Sequence, residues 1–196
     1  MQPFVSDIQK IRDRARATIK QGAVTRGLKT EREQVIRVLN EVLATELVCV
    51  LRYKRHYFTA AGIHSEAVRT EFLEHANEEQ QHADAVAERI VQLNGEPDLN
   101  PEILAERSHS QYVEGTDLIS MIEEDLVAER IAIETYLEIV RWLGDEDPTT
   151  RRMIESILAK EEEHAEDLST LLQDIPRHES HGDGQTMAND ATNVSG

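Results

Sequence analysis

Cysteine occurs once in this chain, at Cys49. An intrachain disulfide framework is thereby excluded, as is any Cys-x-x-Cys pair for zinc or for a rubredoxin-like iron centre. Basic residues are short: 21 Lys and Arg stand against 38 Asp and Glu, a formal charge of −17. That balance argues against a protein whose main business is wrapping polyanionic nucleic acid and makes metal cations the natural partners. No run of about 18 apolar residues occurs, so no membrane span is expected. The start, Met1 to Gly22, has no apolar core of signal-peptide length, and a soluble, cytoplasmic protein is expected. Aromatic residues amount to only 4%, and glycine and proline gather at segment boundaries. The segment interiors are rich in Ala, Leu, Glu, Gln and Arg, all good helix formers. The class is therefore all-α, with no strands, and 196 residues suit one domain with a developed core.

Punctuation marks four long helices, over about 31–61, 66–94, 117–143 and 148–173. Thr30 with Glu33 forms a capping-box signature and Gly62 closes the first helix. Ser65 opens the second, which stops at Gly95, and Thr116 opens the third, which stops at Gly144. Asp147 followed by Pro148 reads as an N-cap with proline in the first helical position, and the fourth helix ends before Pro176. The loops at 62–65 and 144–147 are short enough to force antiparallel neighbours, whereas 95–116 is a long crossover. Within it, Asn100-Pro101-Glu102 before Ile103, Leu104 and Ala105 predicts a brief extra helix. Residues 1–30 form an amphipathic helical extension with Phe4, Ile8, Ile11, Ala15 and Ile19 at helical spacing after a Ser6 cap, expected to dock by that face. It holds seven basic residues against Asp7 and Asp13, a net +5 that leaves −22 on the remainder. Its charge reads first as the solvated face of an interface helix and second as a DNA-contacting arm. The polar tail, 174–196, is expected to be disordered.

Each long helix has an inward stripe broken by one glutamate. The stripes are Val35, Leu39, Val42, Glu46, Cys49, Tyr53; then Phe72, Ala76, Glu79, Ala83, Val86, Ile90, Leu93. The third is Leu118, Ile122, Leu126, Glu129, Ile133, Tyr136, Val140, and the fourth Ile154, Leu158, Glu161, Ala165, Leu168, Leu172. The four glutamates fall near mid-helix, and antiparallel helices share their midpoints, so all four carboxylates should meet in one layer. His82 and His164, three residues beyond Glu79 and Glu161, lie one turn away on nearly the same face. The halves of the chain echo one another. Tyr53 follows Glu46, and Tyr136 follows Glu129, by seven residues; Glu79-x-x-His82-Ala83 returns as Glu161-x-x-His164-Ala165. One Glu-x-x-His motif is weak, but two at matched spacing, each with its lone glutamate, are strong.

An isolated buried carboxylate costs several kcal/mol against a total stability of about 5 to 15 kcal/mol, so four of them demand compensation. Two divalent cations balance four carboxylates, with two neutral imidazoles completing the shell. Oxygen and imidazole donors without thiolate suit iron or manganese, and zinc can take the same ligands. A metal-free Glu/His hydrogen-bond network would not need six ligand-type residues in this register.

At these residues the chain resembles the bacterioferritin branch of the ferritin-like superfamily over about residues 31–173. The runs NEVLATELVCVLRY (Asn40 to Tyr53), EEQQHADAVAERI (Glu78 to Ile90) and KEEEHAEDL (Lys160 to Leu168) carry the resemblance. It implies a ferritin-like antiparallel four-helix bundle with one crossover and two iron ions per subunit. In it Glu46 and Glu129 would be terminal ligands, Glu79 and Glu161 bridging ligands, and His82 and His164 one nitrogen ligand for each metal. Tyr53 would match a tyrosine implicated in electron supply. The activity implied is that of a ferroxidase: Fe(II) oxidised by O2 or H2O2 and the ferric mineral stored in a homo-oligomeric cage, so that iron is both stored and detoxified. The chain departs from that branch at Gln80, where the haem-binding methionine would stand, so haem is not expected through that ligand. It also lacks a fifth helix after Gln173. The missing fifth helix, the longer crossover and the N-terminal extension are more similar to Dps-like proteins that combine a bacterioferritin-type site with a 12-subunit shell, and a 12-mer is favoured over a 24-mer. Those proteins often carry a cysteine pair, whereas Cys49 here reads as a small core residue. Tyr136 reads as packing, and His56, His64, His75 and His109 as surface or loop histidines. The alternatives are a Dps-type DNA-associated stress protein, and another diiron or dimanganese oxidase or catalase using the same six ligands.

Overall fold

A computed structural model describes residues 6–25, 31–63 and 65–175 of the chain. Among the described residues every regular element is helical, with no strand: α1 Ile8–Ala17, a short 3-10 turn at Ile19–Gln21, α2 Arg32–Thr59, α3 Ser65–Gln92, α4 Leu104–Arg107, α5 Leu118–Leu143 and α6 Pro148–Asp174. The four long helices lie within two residues of their sequence-predicted bounds. Helix α2 packs chiefly on α3 and α5 on α6, so the bundle is two antiparallel hairpins face to face. None of the helices described is long and apolar enough to cross a membrane.

The helix ends explain themselves locally. Asp147 caps α6 by accepting from the Thr150 amide at 3.0 Å, with Pro148 following as expected. The cap of α5 is Asp117 rather than Thr116, in a reciprocal box with Ser120. Asp7 rather than Ser6 caps α1, and Thr30 lies outside the described residues. At the end of α3 it is Asn94 that takes the left-handed conformation, φ 59°. Gly95 is needed for another reason: a Cβ there would stand 2.9 Å from the Ile36 side chain.

The crossover is pinned along the length of α2. Asn40 accepts from the Asp98 amide at 2.7 Å, and Thr45 from the His109 amide at 2.9 Å. Arg52 and Arg55 donate to the carbonyls of Gln111 and Glu114 at 3.0 and 2.6 Å. The brief helix expected near Ile103 is α4.

The third stripe is turned from its expected phase. Met121, Asp125, Ala128, Ala132, Ile139 and Leu143 are buried beside Ile122, Glu129 and Tyr136, while Leu118, Leu126, Ile133 and Val140 are only half-buried. Ala165 and Leu172 of α6 are half-buried as well. Small alanines and a paired aspartate form much of the face that α5 turns inward, and a reading weighted to large apolar residues passes over them.

Among the described residues none covers α1: none of its own residues is buried, and Ile8 and Ile11 are 53% and 42% exposed. A hydrogen bond from Asn94 to the Gln21 carbonyl, 3.1 Å, ties the segment after it to the end of α3. An apolar stripe left uncovered in one chain is what an interface helix presents before assembly.

The core is in two parts. One is built on Leu39, Leu43, Val86, Ile90, Leu143 and Ile154, the other on Cys49, Val68, Phe72, Ile122 and Leu168. Between them lies a polar layer.

Candidate metal centre

Glu46 on α2, Glu79 on α3, Glu129 on α5 and Glu161 on α6 sit within two residues of their helix midpoints. Each is 1% exposed. The antiparallel packing brings them together with both histidines as two overlapping groups, Glu46–Glu79–His82–Glu161 and Glu79–Glu129–Glu161–His164. Glu79 and Glu161 belong to both.

The spacings are those of atoms around an ion. His82 Nδ1 lies 3.3 Å from Glu46, 3.4 Å from Glu79 and 3.1 Å from Glu161, and His164 Nδ1 is 3.5 Å from both Glu79 and Glu161. Ligands about 2.1 Å from one cation stand about 3.0 to 3.4 Å apart, depending on coordination geometry. Among the described residues, seven buried side-chain nitrogen or oxygen atoms lack a hydrogen-bond partner, and five of them are here: Glu79 Oε1, Glu129 Oε2, both Glu161 oxygens and His164 Nδ1. Orphaned atoms are costly when scattered through a core; converging on one point, they describe a donor set.

Outer partners hold that set in place. Glu78 accepts from His164 Nε2 at 2.7 Å, which turns Nδ1 inward. The tyrosines pair crosswise: Tyr53 of α2 donates to Glu129 of α5, and Tyr136 of α5 donates to Glu46 of α2. Tyr136 is therefore more than packing. Beneath Tyr53, Arg52 binds Asp125 at 2.7 Å and His56 Nδ1 meets the same carboxylate at 2.8 Å, all three side chains fully buried. His56 and His75, expected at the surface, are 0% and 1% exposed. His75 lies four residues before Glu79 and Asp125 four before Glu129, on the same helical faces, and that phase was the available signal. Cys49 is buried, 3.5 Å from Ser110, with its thiol pushed up by burial. Gln80, half-buried, donates to Asp84 at 3.0 Å.

The protonation pattern follows from burial and crowding. Burial, and then the charge of Glu79, carries Glu46 up to about 8; burial with Glu79 and Glu161 also raises Glu129 well above the usual range. Burial and the charge of Glu161 press Glu79 upward, but the close approach of Glu46, His164 and His82 holds it below the ordinary value. Glu161 is likewise held low against burial and Glu46, by His164, His82 and Glu129. Burial opposes the charged forms of the histidines, yet the facing carboxylates of Glu161, Glu46 and Glu79 carry His82 to about 12, and those of Glu161, Glu79 and Glu129 carry His164 to about 11. The six side chains by themselves thus set imidazolium charge on His82 and His164 against carboxylate charge on Glu79 and Glu161, with Glu46 and Glu129 pushed toward their neutral forms. Their charges cancel.

A helical bundle whose midpoint gathers carboxylates and imidazoles into two groups with shared members belongs to the class of helical proteins with a cluster of side chains that could hold metal ions. A family model for the ferritin-like domain matches residues 36–178. The chain belongs to the ferritin-like family. It is 31% identical over 152 residues to a nutrient stress-induced DNA-binding protein of Synechococcus, an alignment covering 74% of this chain and 85% of the relative. A dodecameric thioferritin, the bacterioferritin-related protein of Bacteroides fragilis, superposes with a TM-score of 0.72 at 35% identity, over 74% of this chain and 88% of that one. The bacterioferritin of Desulfovibrio desulfuricans, solved with its diiron site in different catalytic states, superposes with a TM-score of 0.64 at 25% identity, over 72% and 80% of the two chains.

Proposed function

We propose that this protein is a ferroxidase that stores and detoxifies iron in a cage of identical subunits. The observation that carries the reading is the sharing of Glu79 and Glu161 between two ligand groups, with one imidazole nitrogen and one further carboxylate in each. Glu46 and Glu129 are the terminal carboxylates, Glu79 and Glu161 the bridges, and His82 and His164 the nitrogen ligands. An iron pair held there supplies the electrons that reduce O2 or H2O2 as Fe(II) becomes Fe(III). The chain's own residues do the rest. Tyr53 and Tyr136 hold the terminal carboxylates from the opposite hairpin, Glu78 fixes the ring of His164, and the two apolar cores close off the layer from above and below. Because Tyr53 donates to Glu129, an electron drawn from its ring has a proton acceptor already in place.

Loading exchanges protons for metal. Two divalent ions require all six side chains deprotonated, so at pH 7 binding should release about four protons per chain, from His82, His164, Glu46 and Glu129. Above pH 8 Glu46 is ionised beforehand and the release should fall to about three. Anaerobic addition of Fe(II) in weak buffer, followed by pH-stat, measures this directly. A release of fewer than two protons would contradict the assignment.

The relative from Bacteroides fragilis is dodecameric, and twelve copies of this 22.3 kDa chain would weigh about 268 kDa against about 535 kDa for 24. The smaller mass is expected by light scattering, with α1 in the contacts that its uncovered apolar stripe calls for. A second reading, DNA-associated protection, has in its favour the exposed basic residues Lys10, Arg12, Arg14 and Arg16 of α1. Salt-sensitive retention of DNA would support it. The −17 charge of the whole weighs against it.

A further inference from the structure

Outside the six-residue layer, on the face where α3 and α6 meet, Glu71, His75 and Asp167 form a third group of metal-ligand type. His75 is 1% exposed, stacked on the His164 ring with centroids 4.0 Å apart. Its Nε2 is one of the buried atoms without a hydrogen-bond partner. That atom nevertheless lies 3.2 Å from Glu71 Oε1 and 3.8 Å from Asp167 Oδ2, on carboxylates whose side chains are 30% and 46% exposed.

The tautomer explains why the nitrogen is orphaned. Of its two ring nitrogens Nδ1 alone has a hydrogen-bond partner, the Tyr53 hydroxyl 3.2 Å away, so the ring proton belongs there and Nε2 presents a bare lone pair to two carboxylates. An N–H at Nε2 would find no acceptor in line, since the approach to Glu71 lacks hydrogen-bond geometry. Lone pairs facing one another at these distances repel, and a cation among them turns repulsion into coordination.

We infer that Glu71, His75 and Asp167 bind a third divalent first-row cation, beside the dinuclear layer and separate from it. The 3.2 Å to Glu71 lies within the roughly 3.0 to 3.4 Å between donors about 2.1 Å from one ion, and Asp167, at 3.8 Å, would close in by a side-chain adjustment. One imidazole and two carboxylates suit Fe(II), Mn(II) or Zn(II). Two negative charges balance the ion, and three protein donors leave positions for water, so the ion exchanges with solvent.

Zinc tests the site because it binds such donors without redox chemistry. Crystals of the full chain soaked in Zn(II) and measured on both sides of the zinc edge should show anomalous peaks in the six-residue layer. A further peak should stand about 2.0 to 2.1 Å from His75 Nε2. In the double variant Glu71→Gln/Asp167→Asn only that further peak should vanish, and zinc retained in equilibrium dialysis should fall from three to two per chain. Peaks in the layer with none at His75 would overturn the inference, as would a His75 peak untouched by the double substitution. A peak at His75 with the layer free of zinc would uphold the third site while removing the proposed function.

Discussion

Replacement of Glu161 by alanine is expected to abolish the rapid phase of Fe(II) oxidation, lowering its rate by more than about 100-fold. Loss of an outer partner of a metal ligand already costs about 10- to 100-fold in affinity or activity. Glu161 stands in both ligand groups, so its removal strips a donor from each position at once. Stopped-flow absorbance after mixing with oxygenated Fe(II) measures the rate, and anaerobic titration should show neither high-affinity site filling. Glu46 belongs to one group only. Glu46→Ala should lose the rapid phase too, yet retain about one tightly bound Fe(II) per chain. Should both variants keep the fast phase while folded, by circular dichroism and mass, the chemistry happens elsewhere.

The largest effect on stability is expected at Asp125. Its carboxylate pairs with Arg52 at 2.7 Å and meets His56 at 2.8 Å, with none of the three side chains reaching solvent. Asp125→Ala leaves a guanidinium buried without its counter-ion, which costs about 3 to 5 kcal/mol, a large share of a stability of about 5 to 15 kcal/mol. Urea denaturation of the metal-free protein should show that loss as a lower midpoint with little change in slope. Arg52→Met/Asp125→Leu removes both charges and should recover most of it, because what destabilises is the stranded ion rather than the missing pair. A double variant no better than Asp125→Ala would mean that His56, deprived of its partner, carries the cost.

Much of the centre was legible because of where its residues fall in the helical repeat. Glu46, Glu79, Glu129 and Glu161 interrupt apolar stripes at mid-helix, and antiparallel helices place mid-helix residues at one level whatever their order. What the repeat could not express was pairing between helices. The seven-residue step from glutamate to tyrosine was visible in both halves, but not that each tyrosine serves the other half's glutamate. Asp125 and His75 shared the phase of Glu129 and Glu79, yet charged and imidazole side chains are solvated so often that phase alone did not outweigh the expectation. The apolar stripe of α1 was equally plain, and its docking was not, because none of the described residues covers it. Anchoring of the crossover by Asn40, Thr45, Arg52 and Arg55 depends on backbone groups more than fifty residues away.

The cancellation of charge within the polar layer bears on how such a protein can be made. On the proposed reading four protons stand in for the two divalent ions, so the empty layer presents no net charge against the closing of the hairpins. Exchange of one set of positive charge for another leaves the layer neutral before and after. Filling therefore calls for the departure of protons rather than the opening of the bundle.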